Sequence, residues 1–234
     1  MKNLDSVLAI IPAKKRSTRL PNKNLKLFNN YPLIYFSIKF ELKSKLKNIL
    51  VSSDCDNILS YSKSLGVDVV KRPDDLSTDL SSTVSVLKHS LETYRNKNKI
   101  DTVVTLQPTS PLRSHDLFDK CFKKFINSNF DSLISVGINR KKLGHIDEKN
   151  LFLPFNYELG SRSQDLKKSF YENGLIYFSK AENIKNNDML GKKIGTQIIK
   201  DDSSFVDIDD LDDFKLALLL FKKNYSEFKY LIEN

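Results

Sequence analysis

Val7-Leu8-Ala9-Ile10-Ile11-Pro12-Ala13-Lys14-Lys15-Arg16 opens as an unbroken apolar run and turns, at a proline, into a cationic segment. Five consecutive apolar residues fit a strand buried on both faces, because a strand with one wet face alternates polar and apolar side chains. The pattern recurs at Asn48-Ile49-Leu50-Val51-Ser52-Ser53, Val67-Asp68-Val69-Val70, Thr102-Val103-Val104-Thr105-Leu106 and Ser132-Leu133-Ile134-Ser135-Val136. Amphipathic stretches of helical length lie between them, at residues 32 to about 44, 56 to 64, 82 to about 95, and 115 to 126. Strand and helix alternate five times with short connections, which predicts an α/β fold, doubly wound, with a mostly parallel sheet.

The alternation breaks after Gly137. Residues 138–170 are polar, contain Gly144, Pro154 and Gly160, and have no clear period, so they predict an inserted segment rather than another repeat unit. Strand-like runs return at residues 174–178, 197–199 and 204–208. An apolar-striped helix follows over residues 211 to about 221, with Asp212 and Asp213 favourably placed in its first turn. Residues 1–234 read as one domain carrying that insert.

Composition removes several classes. No run approaches the roughly 18 apolar residues that a spanning helix needs. The first residues show no apolar core with a small-residue cleavage site, so no secretory leader is expected. Cys55 and Cys121 stand far apart in no metal-type pair and read as free thiols in a reducing, cytoplasmic setting. Lys plus Arg is 38 against 29 Asp plus Glu, a net charge of +9 that invites a nucleic-acid reading. The charges are segregated, however. Residues 6–40 hold no carboxylate, whereas residues 201–213 hold seven Asp and no base. A cationic loop facing a carboxylate cluster suits a polyphosphate and its metal better than a long nucleic-acid footprint, which the acidic cluster would repel.

Open α/β sheets bind ligands at the carboxyl ends of their strands. Residues 12–24 after the first strand have neither GxGxxG nor GxxxxGK[ST], but they could neutralise and cradle phosphate oxygens through Lys14, Arg19, Lys23 and the hydroxyls of Ser17 or Thr18. A merely solvated basic loop is the alternative. In Leu106-Gln107-Pro108-Thr109-Ser110-Pro111-Leu112-Arg113, two prolines fix a turn and leave Gln107, Thr109, Ser110 and Arg113 as displayed polar groups. Phe205-Val206-Asp207-Ile208-Asp209 places two carboxylates at i and i+2 on one strand face, roughly 7 Å apart at Cα, where they could meet one hard cation. Taken alone, Asp209 or Asp210 serves equally well as the cap of the next helix. His89, His115 and His145 are dispersed, and none belongs to a nucleophile motif.

In order, the chain carries IPA-x3-S-x-RLP-x-KN, VSSD, VVKRP, LQPTSPLR, NGLIY and VDID-x3-DF. In combination these resemble the acylneuraminate cytidylyltransferases, which make CMP-sialic acid and CMP-linked bacterial relatives, over residues 7–214. The STRLP of the first loop is similar to that of the 3-deoxy-manno-octulosonate cytidylyltransferases, a second reading, and departures from the family pattern at Lys14 and Ser163 leave a catalytically degenerate nucleotide-binding relative as a third.

The resemblance implies transfer of CMP from CTP to the anomeric hydroxyl of a nonulosonic acid, with Mg²⁺ as cofactor and a homodimer built by the insert. It implies nucleotide contacts at Ala13, Lys14, Ser17, Arg19, Lys23, Asn24, Arg72 and Ser82. Gln107, Arg113, Asn173 and Tyr177 fall at the sugar end, Asp207 and Asp209 on the metal, and Lys23 and Asp209 in catalysis. The family usually has Arg where Lys14 stands and often Lys at Thr18. Its RRQDLP segment reads Arg162-Ser163-Gln164-Asp165-Leu166-Lys167 here. At Lys14 a forked phosphate contact becomes a point charge.

Overall fold

The structure is a computed structural model that describes residues 4–94 and 100–233. Its strands are β1 (Val7–Pro12), β2 (Leu27–Phe28), β3 (Tyr31–Pro32), β4 (Ile49–Ser53), β5 (Asp68–Lys71), β6 (Thr102–Thr105), β7 (Ser132–Asn139), β8 (Gly144–Ile146), β9 (Phe152–Pro154), β10 (Ser169–Lys180) and β11 (Ile194–Ile199). Its α-helices are α1 (Leu33–Lys43), α2 (Asp56–Ser64), α3 (Thr83–Thr93), α4 (Leu117–Ile126), α5 (Ala181–Lys185), α6 (Leu211–Lys223) and α7 (Tyr225–Phe228). The expected end of the third helix near Arg95 lies outside the described residues.

Seven strands form one sheet in the order β11-β7-β10-β6-β1-β4-β5. Neighbours pair in parallel except at β10, which runs antiparallel to both β6 and β7. The apolar run of β1 is buried on both faces, as its sequence predicts. Val7, Ala9 and Ile11 join the large core under α1, α2, α4 and α6, while Leu8 and Ile10 join the smaller core under α3 and α5. Truncating Ile10 to Ala would therefore cost about 2–5 kcal/mol, as for other fully enclosed aliphatics.

Two expectations need correction. Residues 138–170 are not irregular throughout: β7 and β10 continue as paired arms beyond the main sheet, and β8 and β9 form an antiparallel hairpin. The hairpin escapes the period-2 signature because Ile146, Leu151, Phe152 and Leu153 are all exposed on it. Residues 204–208 are not a strand either. A 3₁₀ turn (Asp202–Phe205) leads into extended chain that joins no ladder, tied instead by single bonds such as Ile208 N–H to the Thr109 carbonyl at 2.8 Å. Alternation survives without the ladder: Val206 and Ile208 are buried, while Asp207 is exposed and Asp209 partly so.

The chain leaves β1, builds outward through β4 and β5, then returns to the other side of β1 as β6. That reversal puts the loop after β1 beside the loop after β6 at the carboxyl edge, the place where such sheets open a ligand crevice.

Candidate active site

A cleft of about 340 Å³ opens at this edge. Lys14, Lys23 and Asn24 from the first loop, Arg72 after β5, Gln107 and Thr109 after β6, and Asp207 and Asp209 before α6 all line it. The first loop is shaped by Asn22, held at φ 56, a left-handed conformation that asparagine adopts more readily than most residues. A 3₁₀ turn (Lys23–Leu25) follows. Asn24 Nδ2 then donates to the Lys14 carbonyl at 2.9 Å, stapling the two ends of the loop together. Asp54 Oδ1 accepts from Lys15 N–H at 2.7 Å, which holds the loop from the VSSD side.

Opposite charges meet across the cleft. Asp209 Oδ2 lies 2.7 Å from Arg19 Nη2, and Asp209 Oδ1 lies 3.3 Å from Lys23 Nζ. Lys23 Nζ also donates to the Ile208 carbonyl at 2.6 Å. Lys14 Nζ reaches Asp79 at 2.6 Å, and this contact holds the Asp79 carboxyl below its ordinary range. Arg72 is buried and spends Nη2 and Nε on Ser52, at 2.8 and 3.4 Å. Burial lowers its pKa, partly offset by the nearby charge of Asp54.

The other expected residues sit differently. Ala13 is buried, with its N–H on the Ser52 carbonyl, and Ser17 is partly buried; neither lines the cleft. Ser82 caps α3 by accepting from Ser85 N–H, and its neighbours Ser81 and Thr83 line the cleft instead. Asn173 and Tyr177 lie on β10 beside the cleft. Asn173 Oδ1 accepts from Ser135 Oγ at 2.6 Å, leaving its buried Nδ2 without a partner among the described residues. Tyr177 OH donates to Glu172 at 3.4 Å, and burial, followed by the charge of Glu172, raises its pKa. Arg113 is the clear correction. It is fully buried rather than displayed, and its guanidinium donates to the Leu175 and Gln107 carbonyls and to the Ser37 hydroxyl. It therefore cannot contact a sugar directly.

Sequence reasoning missed Leu76, Thr78, Ser81, Thr83 and Val86, which form one wall of the cleft. The cue was Arg72-Pro73 followed by a Ser/Thr-rich approach to a helix, which also fits simple capping.

Asp207 and Asp209 offer hard oxygen donors, and Asp207 makes no hydrogen bond or ion pair with the described residues. Among those residues no group of three or more His, Cys, Asp or Glu could by itself hold a metal. Two carboxylates nonetheless suit Mg²⁺, which is typically bound through one or two carboxylates plus water and substrate phosphate oxygens.

The cytidylyltransferase family profile matches residues 8–230. The chain belongs to the cytidylyltransferase family. It is 30% identical to pseudaminic acid cytidylyltransferase of Campylobacter jejuni subsp. jejuni serotype O:2, over 96% of this chain and 98% of that protein. It is 26% identical to N-acylneuraminate cytidylyltransferase of Escherichia coli O18:K1:H7, over 93% of this chain and 52% of that one. Among solved structures it resembles CMP:2-keto-3-deoxy-manno-octonic acid synthetase complexed with CTP, with a TM-score of 0.71 at 14% identity, covering 93% of this chain and 98% of that one. That likeness and a TM-score of 0.66 to an Anaerococcus prevotii 4-diphosphocytidyl-2C-methyl-D-erythritol synthase, at 10% identity over 94% of this chain and 100% of that one, show a shared Rossmann-like nucleotidyltransferase fold. No helix among the described residues is long and apolar enough to cross a membrane.

Proposed function

We propose that this cytidylyltransferase transfers CMP from CTP to the anomeric hydroxyl of a nonulosonic acid. The observation that carries the reading is the full-length match to a pseudaminic acid cytidylyltransferase in a chain whose cleft gathers cations and two carboxylates at the sheet's switch point. The hydroxyl oxygen bonds to the α-phosphorus and loses its proton, the bond to the β-phosphate oxygen breaks, and pyrophosphate leaves. Lys14 and Lys23 bind the polyphosphate and stabilise charge on the leaving group. Arg72 and the wall from Leu76 to Val86 take the nucleoside. Gln107, Asn173 and Tyr177 orient the acceptor. Asp207 and Asp209 hold Mg²⁺, which when bound neutralises phosphate charge and draws the reacting groups together.

We also propose a cytoplasmic homodimer. Leu151, Phe152, Phe155 and Phe170 are all exposed on the hairpin and arms, a density of apolar surface that a second copy would cover. A monomeric mass by light scattering at assay concentration would contradict the dimer.

The test of the activity is a panel of sialic, legionaminic and pseudaminic acids with CTP and Mg²⁺, scored by pyrophosphate release. One acid is expected to turn over far faster than the others. Release from none of them, by folded protein, would overturn the reading.

A further inference from the structure

Arg113 carries a charge into the middle of the protein, where it is 0% exposed, with Cζ 5.6 Å from the centre of the Phe40 ring. Stability alone is a poor reason for it, because an apolar side chain of similar volume packs there without the desolvation cost of an ion. What the guanidinium adds is a rigid plane that binds groups on three segments at once. Nη2 donates to the Gln107 carbonyl at 2.8 Å, Nε to the Leu175 carbonyl at 2.6 Å, and Nη1 to Ser37 Oγ on α1 at 3.0 Å. The Arg113 carbonyl in turn accepts from Tyr230 OH at 2.8 Å.

The two carbonyls stand where the sheet stops holding its own strands together. β6 pairs with β10 from Thr102↔Lys180 to Thr105↔Tyr177, and no ladder continues past that pair. Gln107 and Leu175 lie just beyond it, so the guanidinium takes over from the missing rungs. The fit is close. Gly174 has φ +71, and a Cβ added there would fall 2.6 Å from Gln107 Oε1 and 2.9 Å from Ser110 Oγ. Residues 14–24, by contrast, are fixed by Asn24 on Lys14, Asp54 on Lys15 and Lys23 on Ile208, none of which touches Arg113.

We infer that Arg113 is a positioning residue for the acceptor half of the cleft, acting through Gln107 and the Asn173–Leu175 backbone and leaving the nucleotide half untouched. This rests on the proposed function for what the acceptor is, but not for the bridge itself.

The test uses Arg113→Lys and, should that variant not fold, Ser37→Ala, which removes one of the guanidinium's three anchors without altering a buried charge. Hydrogen exchange needs no acceptor. It should quicken at residues 107 and 173–176 and stay unchanged at residues 14–24. In turnover assays the acceptor KM should rise about tenfold or more, as for small misplacements of orienting groups. CTP dissociation, measured calorimetrically with Mg²⁺ alone, should stay within about twofold. Unchanged exchange at 107 and 173–176, equal quickening at residues 14–24, or equal losses for CTP and acceptor would each overturn the inference. If wild-type protein uses no nonulosonic acid, the proposed function fails, while the exchange measurement still decides the bridge.

Discussion

Arginine and an acidic side chain come together in two parts of this protein under opposite conditions. In the cleft, Arg19 and Lys23 converge on Asp209 with side-chain exposures of 65, 11 and 35%. Beneath the sheet, Arg113 lies close enough to Glu41 for the two side chains to interact electrostatically, and both are 0% exposed. Water and salt screen the first cluster, so its partners can exchange for a ligand at small cost. The second is locked by carbonyls, a hydroxyl and an aromatic ring, and its charge serves geometry. The same residue types therefore stay exchangeable where they are wet and hold shape where they are dry.

The contrast is broken most severely at Asp209. Asp209→Asn keeps the side-chain volume but removes the charge proposed to hold Mg²⁺ and to anchor Arg19 and Lys23. Turnover is expected to fall about 100-fold or more, the scale seen when one preorganised charge-stabilising group is lost. Pyrophosphate release beside an unchanged circular dichroism spectrum measures it, and near-normal turnover would remove Asp209 from the metal.

Lys23→Ala tests the cationic side. A charge-assisted contact of about 1.5–3 kcal/mol corresponds to roughly a 10- to 150-fold loss in kcat/KM for CTP. Lys15→Ala is the control. Lys15 is exposed, its backbone rather than its side chain holds the loop, and it does not line the cleft. Equal and small losses at both positions would return the loop to a solvated basic surface.

Glu41→Gln sharpens the dry side. Burial pushes the Glu41 pKa up from 4.5 to about 8, opposed by the hydrogen bond from Ser44 and the charge of Arg113. A raised carboxyl binds its proton more tightly folded than unfolded. Its contribution is therefore full below the unfolded value near 4.5 and is lost as pH rises toward 8. The wild type should lose stability across that window, by an amount on the order of a few kcal/mol. Glutamine, always neutral, should flatten the loss. Denaturant melts at pH 5 and pH 8 read this, and parallel slopes for the two proteins would show that Glu41 titrates normally.

The smallest effect is expected at Asp79→Asn. Its ion pair with Lys14 joins two largely exposed side chains, so stability should move by less than about 1 kcal/mol. CTP should bind slightly tighter, because Lys14 no longer has to leave a carboxylate. Weaker CTP binding in a calorimetric titration would mean that Asp79 orients Lys14 instead of competing for it.

The parallel half of the fold was legible because burial on both faces writes continuous apolar runs, as at Val7 to Ile11. Direction was not. Gly174-Leu175-Ile176-Tyr177-Phe178 reads as a strand whichever way it runs, and only tertiary pairing makes β10 antiparallel. Spacing anticipated the shared face of Asp207 and Asp209, since alternate burial of Val206 and Ile208 needs extended chain but no ladder. Arg113 misled because arginine after a Pro-rich turn looks solvent-bound, and nothing local reports the carbonyls 62 and 6 positions away that enclose it. Thr78, Ser81 and Thr83 stayed hidden for the opposite reason, as ordinary helix-entry residues.

The central position of β10 has a consequence for how the protein is made. β1, β4, β5 and β6 all lie within the first 105 residues and can pair as they emerge during synthesis. β7 comes next in the chain but does not sit next to β6; a place must be kept for a strand that begins at Ser169. Until residue 180 has been synthesised, β6 presents a bare, apolar edge of Val103 and Val104, open to pairing with β7 or with another nascent chain. Insertion of β10, whose partners in β6 lie far back in the chain, closes both edges together.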